Sequence, residues 1–332
     1  MLDTEHLILR PVVASDFERL YEIYRNPKVM RYIHEGHVFS FDKAKQRVDG
    51  FVEQWQKYNF GMYLLVEKIS HEPIGYCGFR YFKEDVPELK DEIELGYILD
   101  EPYWGKGYAS EAVHACIQIG FETFHFKRIL ATILSDNIAS QKAATKYGMK
   151  YNFDLSVHGL VHEIYEITAD EYQLNKFKIA LSWITNILQT QHIPFQIAGG
   201  LAARAYGAER TLNDIDIDIP QEQFTKLKDL VAPFITLGPE PCKTDKYDLL
   251  LMTLHYQGQE IDISSADQVK VFDEKTQAWI DISSDLSDIS IQDVLGLSLP
   301  VIPRASLLYY KKILARATDL QDVREIENYK KE

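Results

Sequence analysis

Glu94-Leu-Gly-Tyr-Ile-Leu-Asp-Glu-Pro-Tyr-Trp104-Gly-Lys-Gly-Tyr-Ala-Ser-Glu-Ala112 is the stretch on which the reading of the fold turns. Ile93 to Leu99 has the composition of a strand, a turn containing Gly105 and Gly107 follows, and a helix is predicted from near Ser110 to about Phe124. Glycine admits left-handed backbone and close approach of a ligand, and the free amides and positive dipole end of the helix favour an anion there. The segment is a candidate cradle for a diphosphate, although glycines so spaced also serve ordinary turns.

Working outward, strand-like runs alternate with amphipathic helices as far as Thr168. Leu7 to Pro11 reads as a strand, Asp16 to Tyr24 as a helix, and Phe41 to Tyr58 as a longer helix with Ser40 as its N-cap. Met62 to Glu67 and Ile74 to Tyr81 form a predicted hairpin around His71-Glu-Pro73. A strand at Arg128 to Leu134, a helix from Ile138 to Tyr147 stopped by Gly148, and a hairpin ending at Thr168 complete this half.

In this setting the Gly-rich segment resembles the acyl-CoA binding motif of the GNAT N-acetyltransferases, over about Thr4 to Thr168. The family motif runs Gln or Arg, two residues, Gly, one residue, then Gly or Ala; Gly107 and Ala109 match, and Trp104 takes the first position. The resemblance is strongest to the branch of ribosomal-protein N-terminal acetyltransferases, whose members read Tyr-Trp-Gly-Lys-Gly-Tyr-Ala. It implies a mixed, mostly antiparallel sheet flanked by helices, and acetyl-CoA bound along Ile98, Leu99, Trp104, Gly105, Lys106, Gly107, Tyr108, Ala109 and Ser110. Asn137-Ile-Ala-Ser140, ahead of Lys146-Tyr-Gly-Met149, implies that Asn137 bonds the pantetheine arm and that Ser140 lies near the thioester sulfur. Many relatives carry a Tyr in this helix that protonates the departing thiolate. Here the position is Ala144, so Ser140 or water must substitute.

The reaction implied is attack of a neutral amine on a thioester carbonyl, which needs alignment and the removal of one proton. Glu94, on the strand leading to the turn, is the candidate base or amine-orienting residue, with an expected raised pKa through burial. Glu92 would share its face, and both carboxylates also read as solvated strand-edge charges. His34 and His37 lie where relatives build an acceptor pocket, but loop histidines are commonly just exposed.

From Ala169 the pattern changes, dividing the chain into residues 1–168 and 169–332. A helix to about His192 precedes Phe195-Gln-Ile-Ala-Gly-Gly200; then come a strand at Asp214 to Ile219, a helix at Gln221 to Val231, and strands at Asp248 to Tyr256 and Glu260 to Ser264. The last 30 residues read as helical, with Pro303 near a helix start. Residues two apart on a strand share a face, so Asp214 and Asp216 can chelate one cation, and Asp262 could complete a site for two Mg2+ ions. Asp218 prolongs the run, so Asp216 with Asp218 is an alternative pair. Gly199 and Gly200 are expected to offer amides to a triphosphate.

Arg210-Thr-Leu-Asn-Asp-Ile-Asp216, the upstream Gly-Gly and Tyr310-Lys-Lys-Ile-Leu-Ala-Arg316-Ala-Thr-Asp319-Leu-Gln-Asp322 resemble the nucleotidyltransferase superfamily of aminoglycoside and lincosamide nucleotidyltransferases. The resemblance, over about Gln173 to Lys330, implies an α/β domain with C-terminal helices that uses Mg2+ and an NTP, with Asp214, Asp216 and Asp262 as ligands and Arg210 at the nucleotide. The whole is an α+β protein of two domains.

The 332 residues carry 50 acidic and 36 basic side chains, a net charge of -14, and both halves are acidic. That argues against general affinity for DNA or RNA, whose phosphates require Lys and Arg. It suits a cationic acceptor or simply solubility. The first residues lack a signal peptide's pattern and no apolar run approaches a membrane span, so a cytoplasmic location is expected. Cys77, Cys116 and Cys242 lack metal-ligand spacing and read as reduced packing residues. The expected function is acetyl transfer to a primary amine of a small cationic molecule or a peptide, joined to nucleotidyl transfer, with antibiotic modification as one bifunctional form. The competing readings are a toxin-like nucleotidyltransferase acting on a macromolecule and a non-catalytic acetyl-CoA or nucleotide sensor; an oligomer is left open.

Overall fold

A computed structural model describes residues 1–33, 36–82, 89–157 and 159–329. Its contacts divide the chain into two compact units, Met1–Gln173 and Leu174–Glu332. The helix expected from Ala169 does begin there, running Ala169–Thr190. Its first turn belongs to the first unit, where Tyr172 stacks on Phe121 at 4.9 Å and donates to Glu122.

The first unit contains strands β1 (Leu2–Asp3), β2 (Leu7–Pro11), β3 (Met62–Glu67), β4 (Pro73–Tyr81), β5 (Ile93–Leu99), β6 (Arg128–Leu134), β7 (Lys150–Val157) and β8 (Leu160–Thr168). Its helices are α1 (Phe17–Tyr24), α2 (Pro27–Met30), α3 (Phe41–Tyr58), α4 (Tyr108–Glu122) and α5 (Ile138–Thr145). Among the described residues the sheet runs β1-β2-β3-β4-β5-β6-β8-β7, antiparallel except for β5 and β6. Alternation along the strands sends Tyr63, Leu65, Cys77 and Phe79 to one face, under α4, and Met62, Leu64 and Tyr76 to the other, under α1 and α3. Helix α3 starts where Ser40 accepts the amide of Lys43, and it buries Ala44, Val48 and Phe51, an i, i+4, i+7 stripe.

One discontinuity defines this unit. The parallel β5 and β6 pair only at Glu94 and Leu130 and then separate toward their C-terminal ends. The sheet is open there, beside the starts of α4 and α5.

The second unit holds the rest of the Ala169–Thr190 helix, called α6, with α7 (Gly199–Ala205), α8 (Phe224–Val231), α9 (Arg304–Leu314) and α10 (Ala317–Asn328). Its strands are β9 (Gln196–Ile197), β10 (Asp214–Ile219), β11 (Ile235–Lys243), β12 (Tyr247–Tyr256), β13 (Gln259–Ser265), β14 (Lys270–Asp273), β15 (Ala278–Asp281), β16 (Ser290–Val294) and β17 (Leu297–Val301). The sheet runs β15-β14-β12-β13-β10-β9-β17-β16, with β11 beside β12. Ile215, Ile217 and Ile219 of β10, with Ile261 and Ile263 of β13, are buried in the core, which also takes Phe177, Leu181 and Ile184 from α6. The intervening aspartates therefore face the other way. No helix among the described residues is long and apolar enough to cross a membrane.

Candidate functional site

In the first unit, helix α4 begins at Tyr108, two residues before the expected start, because Gly107 is its N-cap at φ 88°. Gly105 also lies in the left-handed region, at φ 74°. A Cβ at either glycine would meet no atom within 4 Å, so packing does not explain them. No side chain caps the helix, which leaves the positive end of α4 facing open space. Trp104 pins the turn, its indole Nε1 donating to the Leu99 carbonyl at 2.9 Å. Lys106 brings its ammonium within 4.9 Å of the Tyr103 ring centre, at the mouth of the turn.

Three residues predicted to bind cofactor have buried side chains, and of these Ile98 lines the cleft between β5 and β6. Ile98 and Leu99 are core side chains. Tyr108 is buried, its hydroxyl donating to Glu67 Oε1 at 2.5 Å, and that carboxylate pushes its pKa up to about 12. Asn137 caps α5 by accepting the amide of Ser140 at 3.2 Å. Asn137 and Ser140 both line the cleft formed where β5 and β6 part. Ala144 is buried in the core, so no tyrosine stands there. Tyr97, which sequence reasoning passed over, spans the opening instead and donates to the Ser140 carbonyl at 3.0 Å. Its position in the β-rich run was plain, but that it bridges to α5 depends on where the two strands separate.

Glu94 lines the same cleft and is 5% exposed. The raised pKa expected of it is not found. Burial pushes the carboxyl up, but the charge and hydrogen bond of Arg80, its register partner on β4, outweigh burial with help from Thr132 and Arg47. The net direction is downward, and Glu94 is held ionised. Glu92 is taken by Arg128 at 2.9 Å. His34 lies outside the described residues.

In the second unit, parallel pairing of β10 and β13 sets Asp216 opposite Asp262. Asp214, Asp216 and Asp262 each offer a carboxylate oxygen within 4.8 Å of the others. Desolvation, then repulsion from Asp214, Asp262 and Asp218, raises the Asp216 pKa to about 7. Burial raises that of Asp262 too. Three half-buried carboxylates gathered on one sheet face fit a hard divalent cation. Asp218, the alternative ligand, is instead engaged by Gln196 Nε2 at 2.8 Å.

The amides of the two glycines upstream have partners within the protein. The Gly199 amide already donates to the Tyr310 hydroxyl at 3.1 Å, and the Gly200 amide to Asp216 Oδ2 at 3.3 Å. Glycine is required at 199 because φ is 56° and a Cβ would lie 1.6 Å from Asp216 Oδ2. Arg210, assigned to the nucleotide, lines the pocket but commits its Nε to Asp322 at 2.8 Å. Asp322 also pairs with Lys311 at 2.8 Å, and Asp319 pairs with Lys311 and with Arg316. This buried network anchors Arg210 and Arg316 at the rim of the pocket that holds the three aspartates.

A sheet opened beside an uncapped, glycine-started helix is the framework of an acyl-CoA-dependent acyltransferase. Residues 6–150 match the family model of the acetyltransferase (GNAT) domain. The uncharacterized N-acetyltransferase YnaD of Bacillus subtilis (strain 168) is 32% identical over 150 residues, 45% of this chain and 82% of that protein. The uncharacterized protein YkkB of the same organism is 31% identical over 159 residues, covering 46% and 86%. A GNAT-family acetyltransferase structure from Bacillus anthracis superposes with a TM-score of 0.43 and 24% identity, covering 51% of this chain and 99% of that one. The chain belongs to the GNAT acetyltransferases, by way of its first unit.

Proposed function

We propose that the first unit transfers acetyl from acetyl-CoA to a primary amine of a small molecule or peptide. The observation that carries this is the cleft between the separated β5 and β6, flanked by the open, positive start of α4. The diphosphate sits on the amides after Gly105 with Lys106 beside it, and the pantetheine arm passes Asn137 and Ser140 to bring the thioester into the opening. The amine's lone pair attacks the thioester carbonyl, the C–S bond breaks, and the amine loses one proton. A carboxylate held ionised by Arg80 is a weak proton acceptor, so Glu94 orients the amine, and its proton passes to water. The thiolate takes a proton from water, directly or relayed through the Ser140 hydroxyl, which regains one from the water that received the amine's proton.

Gly107→Ala tests the cradle. The Cβ clashes with nothing and the left-handed backbone costs about 1 kcal/mol, so the protein should fold, while acetyl-CoA affinity by titration calorimetry falls about 10- to 100-fold. Unchanged affinity would remove the diphosphate from this turn.

For the second unit we propose Mg2+-dependent nucleotidyl transfer. Asp214, Asp216 and Asp262 would hold the metal, which when bound supplies charge stabilisation at the reacting phosphate. Arg210 and Arg316, fixed by Asp322 and Asp319, meet the anionic donor from the opposite rim. The juxtaposition of three carboxylates is the observation that supports this reading. Thermal-shift assays with NTP plus Mg2+, against either alone, test it; a stabilisation needing both is expected.

A further inference from the structure

The net charge of -14 points to a cationic acceptor, but the charge inside the acetyl-transfer cleft has the other sign. Among the described residues that line it, Glu94 is the sole carboxylate, and Arg80 neutralises it. Arg47 remains. It sits on α3 between Ala44 and Val48, within the stripe that the helix turns into the core, where a straight-chain apolar residue would serve packing better. Its Nε is buried without a hydrogen-bond partner, while the rest of the guanidinium bears on the Tyr24 hydroxyl and lies 5.3 Å from the Phe51 ring centre. A buried donor left unsatisfied is costly, which marks it as a group waiting for an acceptor. Tyr32, Ile33, Met62, Tyr76 and Phe82 supply apolar and aromatic surface around it.

Resting on the acetyltransferase reading above, we propose that Arg47 selects the acceptor: an amine whose apolar body carries a carboxylate near the amino group, as in an α-amino acid. The fork of Arg47 receives the carboxylate on the α3 side of the sheet. The amine then points toward Glu94 and the opening between β5 and β6. A polycation finds no unpaired described carboxylate there and meets a guanidinium instead.

The experiment uses the full chain. Acetyl-CoA binding is first measured by calorimetry, and CoA release is then followed with leucine, phenylalanine and glutamate, each against its own α-carboxamide, and with spermidine and an aminoglycoside. At least one acid is expected to exceed its amide by 30-fold or more in kcat/KM, with both cations poor. Arg47→Gln should bring that ratio to within about threefold of unity, and Arg47→Lys should restore part of it. If acetyl-CoA does not bind, the acetyltransferase reading itself fails. If it binds and amides or cations are acetylated as well as the acids, if no acid is used, or if Arg47→Gln keeps the ratio, the carboxylate inference alone is overturned. Should Arg47→Gln not fold, the wild-type acid-to-amide ratio and Arg47→Lys still decide.

Discussion

Replacing Asp216 with Asn is expected to stabilise the metal-free protein at pH 8 while abolishing its response to Mg2+. Asp216 is the carboxylate most crowded by the others, and its pKa is raised from 3.8 to about 7 by desolvation and by the charges of Asp214, Asp262 and Asp218. Between those two pH values the folded state keeps a proton that the unfolded chain releases. The resulting stability is fully present below about pH 4 and is lost as pH rises through 7, at a slope of about 1.4 kcal/mol per unit. At pH 8 the wild type without metal therefore carries the full repulsion. The amide has nearly the same shape, its oxygen can still accept the Gly200 amide, and it removes one charge. A gain of about 1–3 kcal/mol is expected, or some 2–10 °C in melting temperature. Mg2+ should raise the melting temperature of the wild type and leave that of the variant unmoved. Its affinity for the wild type should weaken about tenfold per unit below pH 7, as protons compete for the ligand. A variant that melts lower without metal and still responds to Mg2+ would remove Asp216 from the site.

The same residues show what could and could not be read from the chain. The alternation of Asp and Ile from 214 to 219 is a period-2 pattern, and the structure keeps it, with the isoleucines in the core and the aspartates together. The turn at Gly105 and Gly107 was equally legible, because left-handed backbone is a local demand that glycine meets. What stayed hidden depends on partners distant in the chain. Arg80 faces Glu94 across β4 and β5, and this reversed the direction of the expected pKa shift. The opening between β5 and β6 rests on how two strands 36 residues apart in sequence, at Glu94 and Leu130, cease to pair. Gly199 read as a phosphate turn, and a second demand for glycine there, the close approach of Asp216, was not legible.

Other omissions have a simpler cause. Strand β11 reads as a loop because Gly238, Pro239 and Pro241 interrupt it, and proline is expected only at edges or irregularities. It does flank β12 with breaks in register, outside the main run of the sheet. Strands β14 to β17 are four or five residues long, too short for a periodic signal. Net charge is a coarse guide for a different reason. It averages the surface, whereas the described lining of the one cleft carries Arg47 and Arg80 against Glu94 alone.

The largest loss of stability is expected from Lys311→Met. Lys311 is 1% exposed, and its ammonium lies 3.2 Å from Asp319 and 2.8 Å from Asp322, both fully buried. Such a network need not stabilise the fold more than apolar packing would, because desolvating the charges offsets much of their attraction. Removing one cation is another matter, since two buried carboxylates are then left to Arg316 and Arg210, and about 3–5 kcal/mol should be lost at pH 8. The pH dependence identifies the cause. In the wild type, burial raises the Asp319 pKa but Arg316 and Lys311 more than offset it, so the group sits below its ordinary range. Its contribution is present above about pH 4 and is lost only as pH falls through that lowered value. In the variant Asp319 keeps only Arg316, takes up its proton at higher pH than in the wild type and so recovers stability on acidification. Urea unfolding at pH 8, 6.5 and 5 should show the difference between the two proteins shrinking as pH falls. A deficit below 1 kcal/mol, or one that is the same at all three pH values, would mean that Lys311 does not neutralise Asp319 and Asp322, and that Arg210 and Arg316 are held at the rim by something else.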